Sequence, residues 1–317
     1  MSYESLKADL RDVAFTNPTP FDEDGETIRH DELAANVEYV RDAGARLIVP
    51  CGNTGEYYSL SNDERVAAVE TTVDAFDGAG SVVGGVGGST KNAKMLAERY
   101  ADAGADAIMV MHPVHTYVHE DGVLDYYRAL ADHTDLGVVL YKRGPELTHD
   151  HVRELSEREN VVAVKYAVND ISAFSRGVRT TPGDIVWING IAERFAPSFH
   201  VEGAEGFTTG IGNFVPREVL ALQEALDDGD LARAKEIRDL LRPYEDLREE
   251  TGPNNRFGSA NNVPAVKYGL ELAGRYGGPV REPLVPLSEA DRRRAEEYYK
   301  TVSEASLSEE TVQDASP

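Results

Sequence analysis

The stretch Asn160-Val161-Val162-Ala163-Val164-Lys165-Tyr166-Ala167-Val168-Asn169-Asp170 decides how this chain is to be read. It is a nearly unbroken β-branched run, which suits a parallel strand covered on both faces, here over Val161–Tyr166. An ammonium has no favourable place in such a run. Burying it unpaired costs several kcal/mol or drives it to the neutral form. A neutral lysine is a nucleophile towards carbonyl carbon, which makes Lys165 the candidate for Schiff-base chemistry. The plainer reading is a strand-end lysine that reaches water or pairs with an acid.

Outward from this strand, short apolar runs alternate with amphipathic ones. Strands are predicted at 13–16, 46–51, 81–86, 107–111, 137–141, 161–166, 185–189 and 206–209. Helical patterns lie between them at 31–43, 61–76, 91–103, 122–133, 148–158, 171–180 and 192–202. Gly44, Gly104 and Gly203 each fall just before a strand, where a glycine can end a helix in the left-handed conformation. Eight strands alternating with helices predict an α/β fold, a (β/α)8 TIM barrel. A doubly wound sheet is the alternative, but no Gly-x-Gly-x-x-Gly turn opens a helix after the first strand. Gly84-Gly85-Val86-Gly87-Gly88-Ser89-Thr90 lacks the lysine of a phosphate loop; it reads as a strand that lets its neighbours approach closely, with Ser89 capping the next helix.

After about residue 216 only helices are predicted, at 217–227, 230–244, 263–273 and 288–302. The division is therefore a catalytic barrel over 1–216, a C-terminal helical region over 217–305 packed on it, and an acidic, disordered tail over 306–317.

Composition narrows the partners. The chain has 317 residues, 56 acidic against 32 basic, for a net charge of −24, so nucleic acid and anionic membranes would be repelled. The acids are spread over helical stretches, the pattern of a solvated shell adapted to a salt-rich, halophilic cytoplasm. The single cysteine, Cys51, excludes an internal disulfide and fits a reducing compartment. With no signal-like or membrane-length apolar run, the expected location is cytoplasmic.

In such a barrel the chemistry sits at the C-terminal ends of the strands. Those ends carry Cys51-Gly52-Asn53-Thr54-Gly55-Glu56, Tyr141-Lys142-Arg143-Gly144, Lys165, Asn189-Gly190 and Thr208-Thr209-Gly210. One amine, one phenol and several neutral donors suit a carbonyl-to-imine reaction. Gly52, Asn53 and Thr54 can offer amides and a hydroxyl to a carboxylate, and Tyr141 can move a proton. Asn189, Thr209 and Gly210 complete the candidate substrate-binding set. Lys142 and Arg143 either orient substrate hydroxyls or pair with a neighbouring subunit. His112, His115 and His119 have roughly helical spacing, but Pro113 makes the stretch a loop, so no metal is assigned. Cys51 has no evident base partner and reads as a small buried residue.

Gly52-Asn53-Thr54-Gly55-Glu56, the Tyr141 strand, Val164-Lys165 and Asn189-Gly190 resemble the dihydrodipicolinate synthase / N-acetylneuraminate lyase superfamily, from about Val13 to Gly278 and including Asn262-Val263-Pro264-Ala265-Val266-Lys267. The resemblance implies that Lys165 forms the Schiff base, that Tyr141 relays protons with Thr54 orienting it, and that Asn53-Thr54 holds the carboxylate of a 2-oxo acid. It implies no cofactor, and a homo-oligomer, dimer or tetramer. Asn53 stands where the family usually has its first threonine, Glu146 where the synthase has an arginine for a second carboxylate, and Pro113-Val114-His115 where it has an interface tyrosine pair. These departures argue against synthase activity. The pattern is more similar to the sugar-acid branch, and within it to dehydratases that convert 2-keto-3-deoxy-xylonate or -arabinonate to 2-oxoglutarate semialdehyde, a step of pentose degradation. An aldolase releasing pyruvate from the same iminium is the alternative. A non-catalytic 2-oxo-acid-binding regulator on the same fold is a third reading.

Overall fold

The computed structural model describes residues 3–314. Its parallel strands, β1 (Val13–Phe15), β2 (Leu47–Ile48), β3 (Ser81–Val86), β4 (Ala107–Val110), β5 (Gly137–Lys142), β6 (Val161–Tyr166), β7 (Val186–Asn189) and β8 (Gly206–Thr209), close into a barrel in chain order. Closure is made by β1, which pairs with both β2 and β8. The outer layer holds α2 (His30–Asp42), α3 (Asn62–Phe76), α4 (Thr90–Asp102), α5 (Glu120–Ala131), α6 (His149–Leu155), α7 (Ile171–Thr180) and α8 (Ala196–Val201). This is the (β/α)8 barrel that the alternation predicts. A helix the pattern does not predict, α1 (Glu4–Leu10), packs against β1, β6 and β7 and buries Leu6 and Leu10.

Local chemistry explains where the elements stop. β2 is shorter than the predicted 46–51 because Pro50 has no N–H to donate and Cys51 turns the chain aside with φ of 56°. Gly44, Gly104 and Gly203 take φ of 111°, 88° and 105°, the left-handed stops that the sequence calls for. A Cβ on Gly85 would stand 2.0 Å from the Cys51 carbonyl oxygen, so the glycine-rich strand does serve close approach. Ser89 caps α4, its hydroxyl accepting from the Asn92 N–H at 3.2 Å. The predicted helix over 192–202 is shorter, because Ala192 takes φ of 63° and a 3-10 turn over Glu193–Phe195 precedes α8.

Beyond β8, α9 (Pro216–Asp227) packs against β1 as an eighth outer helix, so the barrel continues past residue 216. Helices α10 (Leu231–Glu249), α11 (Asn262–Leu272) and α12 (Glu289–Asp314) pack on one another beyond it. α10 runs through Pro243 and past its predicted end at 244, held by its contacts with α11 and α12. α12 has no Gly or Pro to interrupt it and stays helical through Asp314, where disorder is predicted from 306; residues 315–317 lie outside the described residues. No helix among the described residues is long and apolar enough to cross a membrane.

Candidate active site

Lys165 stands in register between Tyr141 of β5 and Ile188 of β7. Strand alternation sends Val162, Val164 and Tyr166 outward, where Tyr166 packs against Phe174, Trp187 and Phe199, and turns Lys165 into the barrel. The lysine is 6% exposed, and its Nζ lies 4.6 Å from the centroid of the Tyr141 ring. Burial, with the positive charges of Arg143 and Arg248 added, brings the amine from 10.5 down to about 7. A large share of it is therefore neutral near pH 7, as a nucleophile must be.

The Tyr141 phenol is held above its ordinary value by burial, and Arg143 beside it opposes that rise. Its oxygen accepts a hydrogen bond from Asn53 Nδ2 at 3.0 Å. The family resemblance assigns Thr54 to orient the phenol, whereas its hydroxyl lies 3.1 Å from that of Thr16, which donates to the Thr209 carbonyl at 2.6 Å. The amide of Asn53 is longer than a hydroxyl side chain and reaches the phenol first. The turn is otherwise closed by its own backbone, Glu56 N–H to Asn53 O at 3.1 Å and Tyr57 N–H to Gly52 O at 3.1 Å.

Lys165, Tyr141, Asn53, Thr54, Thr209 and Gly210 all line one cavity of about 410 Å³ at the C-terminal ends of the strands. Two expected residues do not line it. Asn189 spends its amide locally, donating to Ala192 O at 2.9 Å and accepting from Ile191 N–H at 3.0 Å, so it shapes the loop while Gly190 faces the cavity. Gly52 serves in the turn behind. Thr209 lines the wall with its hydroxyl engaged, accepting from Gly212 N–H at 2.7 Å.

Part of the wall comes from residues outside the strand ends that the sequence pattern marks. Thr16 joins the hydroxyl chain from β1, and α10 delivers Glu245 and Arg248 because it continues beyond 244. Arg248 Nη1 donates to Glu245 Oε1 at 2.5 Å and Nη2 to Asn262 Oδ1 at 3.0 Å. The signal was present as an i,i+3 acid–base pair on one helix face. Beneath them Glu193 is fully buried, and burial with the neighbouring Glu245 charge raises it well above its ordinary carboxylate value.

The C-terminal region is tied to the mouth of the barrel. Glu56 Oε1 lies 2.5 Å from Lys267 Nζ, and Glu56 Oε2 accepts from Arg281 N–H at 3.0 Å. The Arg281 side chain donates to Gly25 O at 2.6 Å, Ser59 O at 3.1 Å and Glu64 Oε1 at 2.7 Å. Gly258, Ser259, Asn262, Val263, Pro283 and Leu284 thereby form the outer wall of the cavity, so this region completes the site.

The remaining candidates lie elsewhere. Lys142 faces away from the cavity and donates to Gly144 O at 3.1 Å and Leu147 O at 2.5 Å, whereas Arg143 lines it. His115 and His119 each accept a backbone N–H two residues ahead, from Tyr117 at 3.0 Å and Asp121 at 3.2 Å. Among the described residues no three His, Cys, Asp or Glu side chains gather as a metal-binding group. Burial pushes the Cys51 thiol up to about 12, which leaves it unreactive.

The model of the dihydrodipicolinate synthetase family matches residues 10–302. The 4-hydroxy-tetrahydrodipicolinate synthase of Methanothrix thermoacetophila is 32% identical over 292 residues, 90% of this chain and 95% of the relative. A probable 5-dehydro-4-deoxyglucarate dehydratase of Acinetobacter baumannii is 27% identical over 292 residues, 90% of this chain and 94% of the relative. The crystal structure of dihydrodipicolinate synthase from Oceanobacillus iheyensis superposes with a TM-score of 0.89 at 34% identity, over 95% of this chain and 99% of that one.

Proposed function

The chain belongs to the dihydrodipicolinate synthetase family, and on that premise we propose that it is a lyase that forms a Schiff base through Lys165 and dehydrates a 2-keto-3-deoxy sugar acid. The observation that carries this reading is the buried Lys165 amine, at about 7, against the face of Tyr141 in the cavity at the strand ends. The amine attacks the C2 ketone, and the carbinolamine hydroxyl leaves as water with the Tyr141 proton. The iminium withdraws electrons from C3, and the resulting Tyr141 phenolate, held in place by Asn53, takes the C3 proton. The enamine pair then expels the C4 hydroxyl, which departs as water after protonation. Tautomerisation and hydrolysis give 2-oxoglutarate semialdehyde from a five-carbon substrate.

Three features favour a sugar acid over the synthase substrates. Glu146 occupies the offset at which the synthase pattern has an arginine for a second carboxylate. Asn53 replaces the relay hydroxyl. A dehydratase of a keto-deoxy sugar acid is among the relatives. Cleavage of C3 from C4 in the same iminium, giving pyruvate and a two-carbon aldehyde, is the second reading, since it uses the same lysine. The acidic surface fits work in concentrated salt, and we expect a homo-oligomer. The test is product identification with 2-keto-3-deoxy-xylonate or -arabinonate in molar potassium chloride. Appearance of 2-oxoglutarate semialdehyde supports the dehydratase; pyruvate with glycolaldehyde overturns it in favour of the aldolase.

A further inference from the structure

Arg143 is a cation without a carboxylate. The salt bridges and hydrogen bonds of the described residues give it no acidic partner, in a chain of net charge −24 where most arginines are paired. Its backbone is anchored, and its side chain is exposed at the rim. Lys142, the residue before it, points away from the cavity and ties down the following loop through the carbonyls of Gly144 at 3.1 Å and Leu147 at 2.5 Å. Side chains alternate, so with Lys142 anchored outward, Tyr141 and Arg143 both turn to the cavity. Tyr141 is the register partner of Lys165, and Arg143 therefore sits at the rim above both reacting groups.

We propose that Arg143 is a positioning residue whose fixed charge keeps the Lys165 amine and the Tyr141 phenol in the protonation states that imine formation requires. A cation near an amine disfavours its ammonium form, and the same cation near a phenol favours release of its proton. One arginine thus moves both groups towards reactivity, and the direction of each effect at this site agrees. Of the other charged groups around the pair, Arg248 acts on Lys165 in the same direction but is paired with Glu245 at 2.5 Å, Glu56 is paired with Lys267, and burial pushes Glu193 towards its protonated form. Glu249 accepts from Ser259 and Asn262, Tyr57 and Tyr58 stay neutral because burial raises both, and Asn53 is uncharged.

The inference rests on the Schiff-base reading, so its test uses a reaction that needs only the amine. The protein is incubated with pyruvate and cyanoborohydride across pH 5.5 to 9.5, and the lysine adduct is followed by intact mass for the unaltered chain, R143M and R143K. The unaltered chain is expected to form adduct with a rising limb near neutrality. R143M should move that limb upward by about half a pH unit, less than the shift from a close buried charge because burial is the larger cause and the guanidinium is exposed and screened. R143K should leave it where it is. A limb unmoved in R143M, or moved equally in R143K, overturns the proposal and leaves Arg143 a substrate contact or a loop residue. Absence of adduct in the unaltered chain at every pH overturns the Schiff-base reading itself, and this inference with it.

Discussion

Asn53 donates its side-chain N–H to the phenolic oxygen of Tyr141 at 3.0 Å, and Thr54, its neighbour in the same turn, turns to Thr16 instead. The hydroxyl that the motif would offer to a proton relay is thus replaced by an amide that can only donate to, and orient, the phenol through this contact. Asn53→Ala should lower kcat about tenfold, less than the loss of the proton-transferring group itself because Asn53 only orients it. The Lys165 adduct should persist, because the amine is untouched. Steady-state kinetics beside borohydride trapping check this; loss of both together would mean that the turn has collapsed.

Lys165→Met should abolish trapping and lower turnover by at least about a thousandfold, as for loss of a covalent nucleophile. It should also stabilise the protein. The folded amine, at about 7, lies below the unfolded value of 10.5, so the unfolded chain binds more protons between these limits and stability rises with pH across that window. Replacing the amine by an apolar side chain removes that penalty, by an amount on the order of 4 kcal/mol at pH 7. Chemical denaturation at pH 7 reads the gain, and a less stable K165M would contradict the burial argument.

The same shift sets the activity profile. kcat/KM reports the free enzyme, so its acid limb should rise through about pH 7 as the ammonium of Lys165 loses its proton. An acid limb above pH 9 would mean that the working amine is solvated.

Lys267→Ala leaves the Glu56 carboxylate buried without its partner. The expected loss is about 3–5 kcal/mol, the cost of breaking a buried pair by removing one side. The double variant Glu56→Leu, Lys267→Met should recover part of it. Both changes sit at the tie between the barrel mouth and the C-terminal region, so denaturant midpoints and KM should move together.

The spread acidic surface predicts salt dependence. In dilute buffer the self-repulsion of a net charge of −24 should lower the melting temperature, and molar potassium chloride should restore it by screening. A melting temperature indifferent to salt would remove the basis for the halophilic reading.

The sequence by itself determined the barrel and its strand order, and it singled out the candidate nucleophile. β-branched runs separated by amphipathic ones leave few other ways to bury both faces of a strand, and a lysine at the end of such a run has no cheap way to stay charged. Glycine stops at Gly44, Gly104 and Gly203 were legible because only glycine takes that backbone without strain. What the tertiary structure decided is which polar side chains meet. Asn189 and Lys142 lie beside the site in sequence, yet each spends its hydrogen bonds on its own loop. Arg248, Glu245 and Lys267 lie far away in the chain, yet α10 and α11 bring them to the barrel mouth. Periodicity fixes the direction of a side chain relative to its own strand or helix. Its partner across space depends on how those elements pack, and no local pattern encodes that.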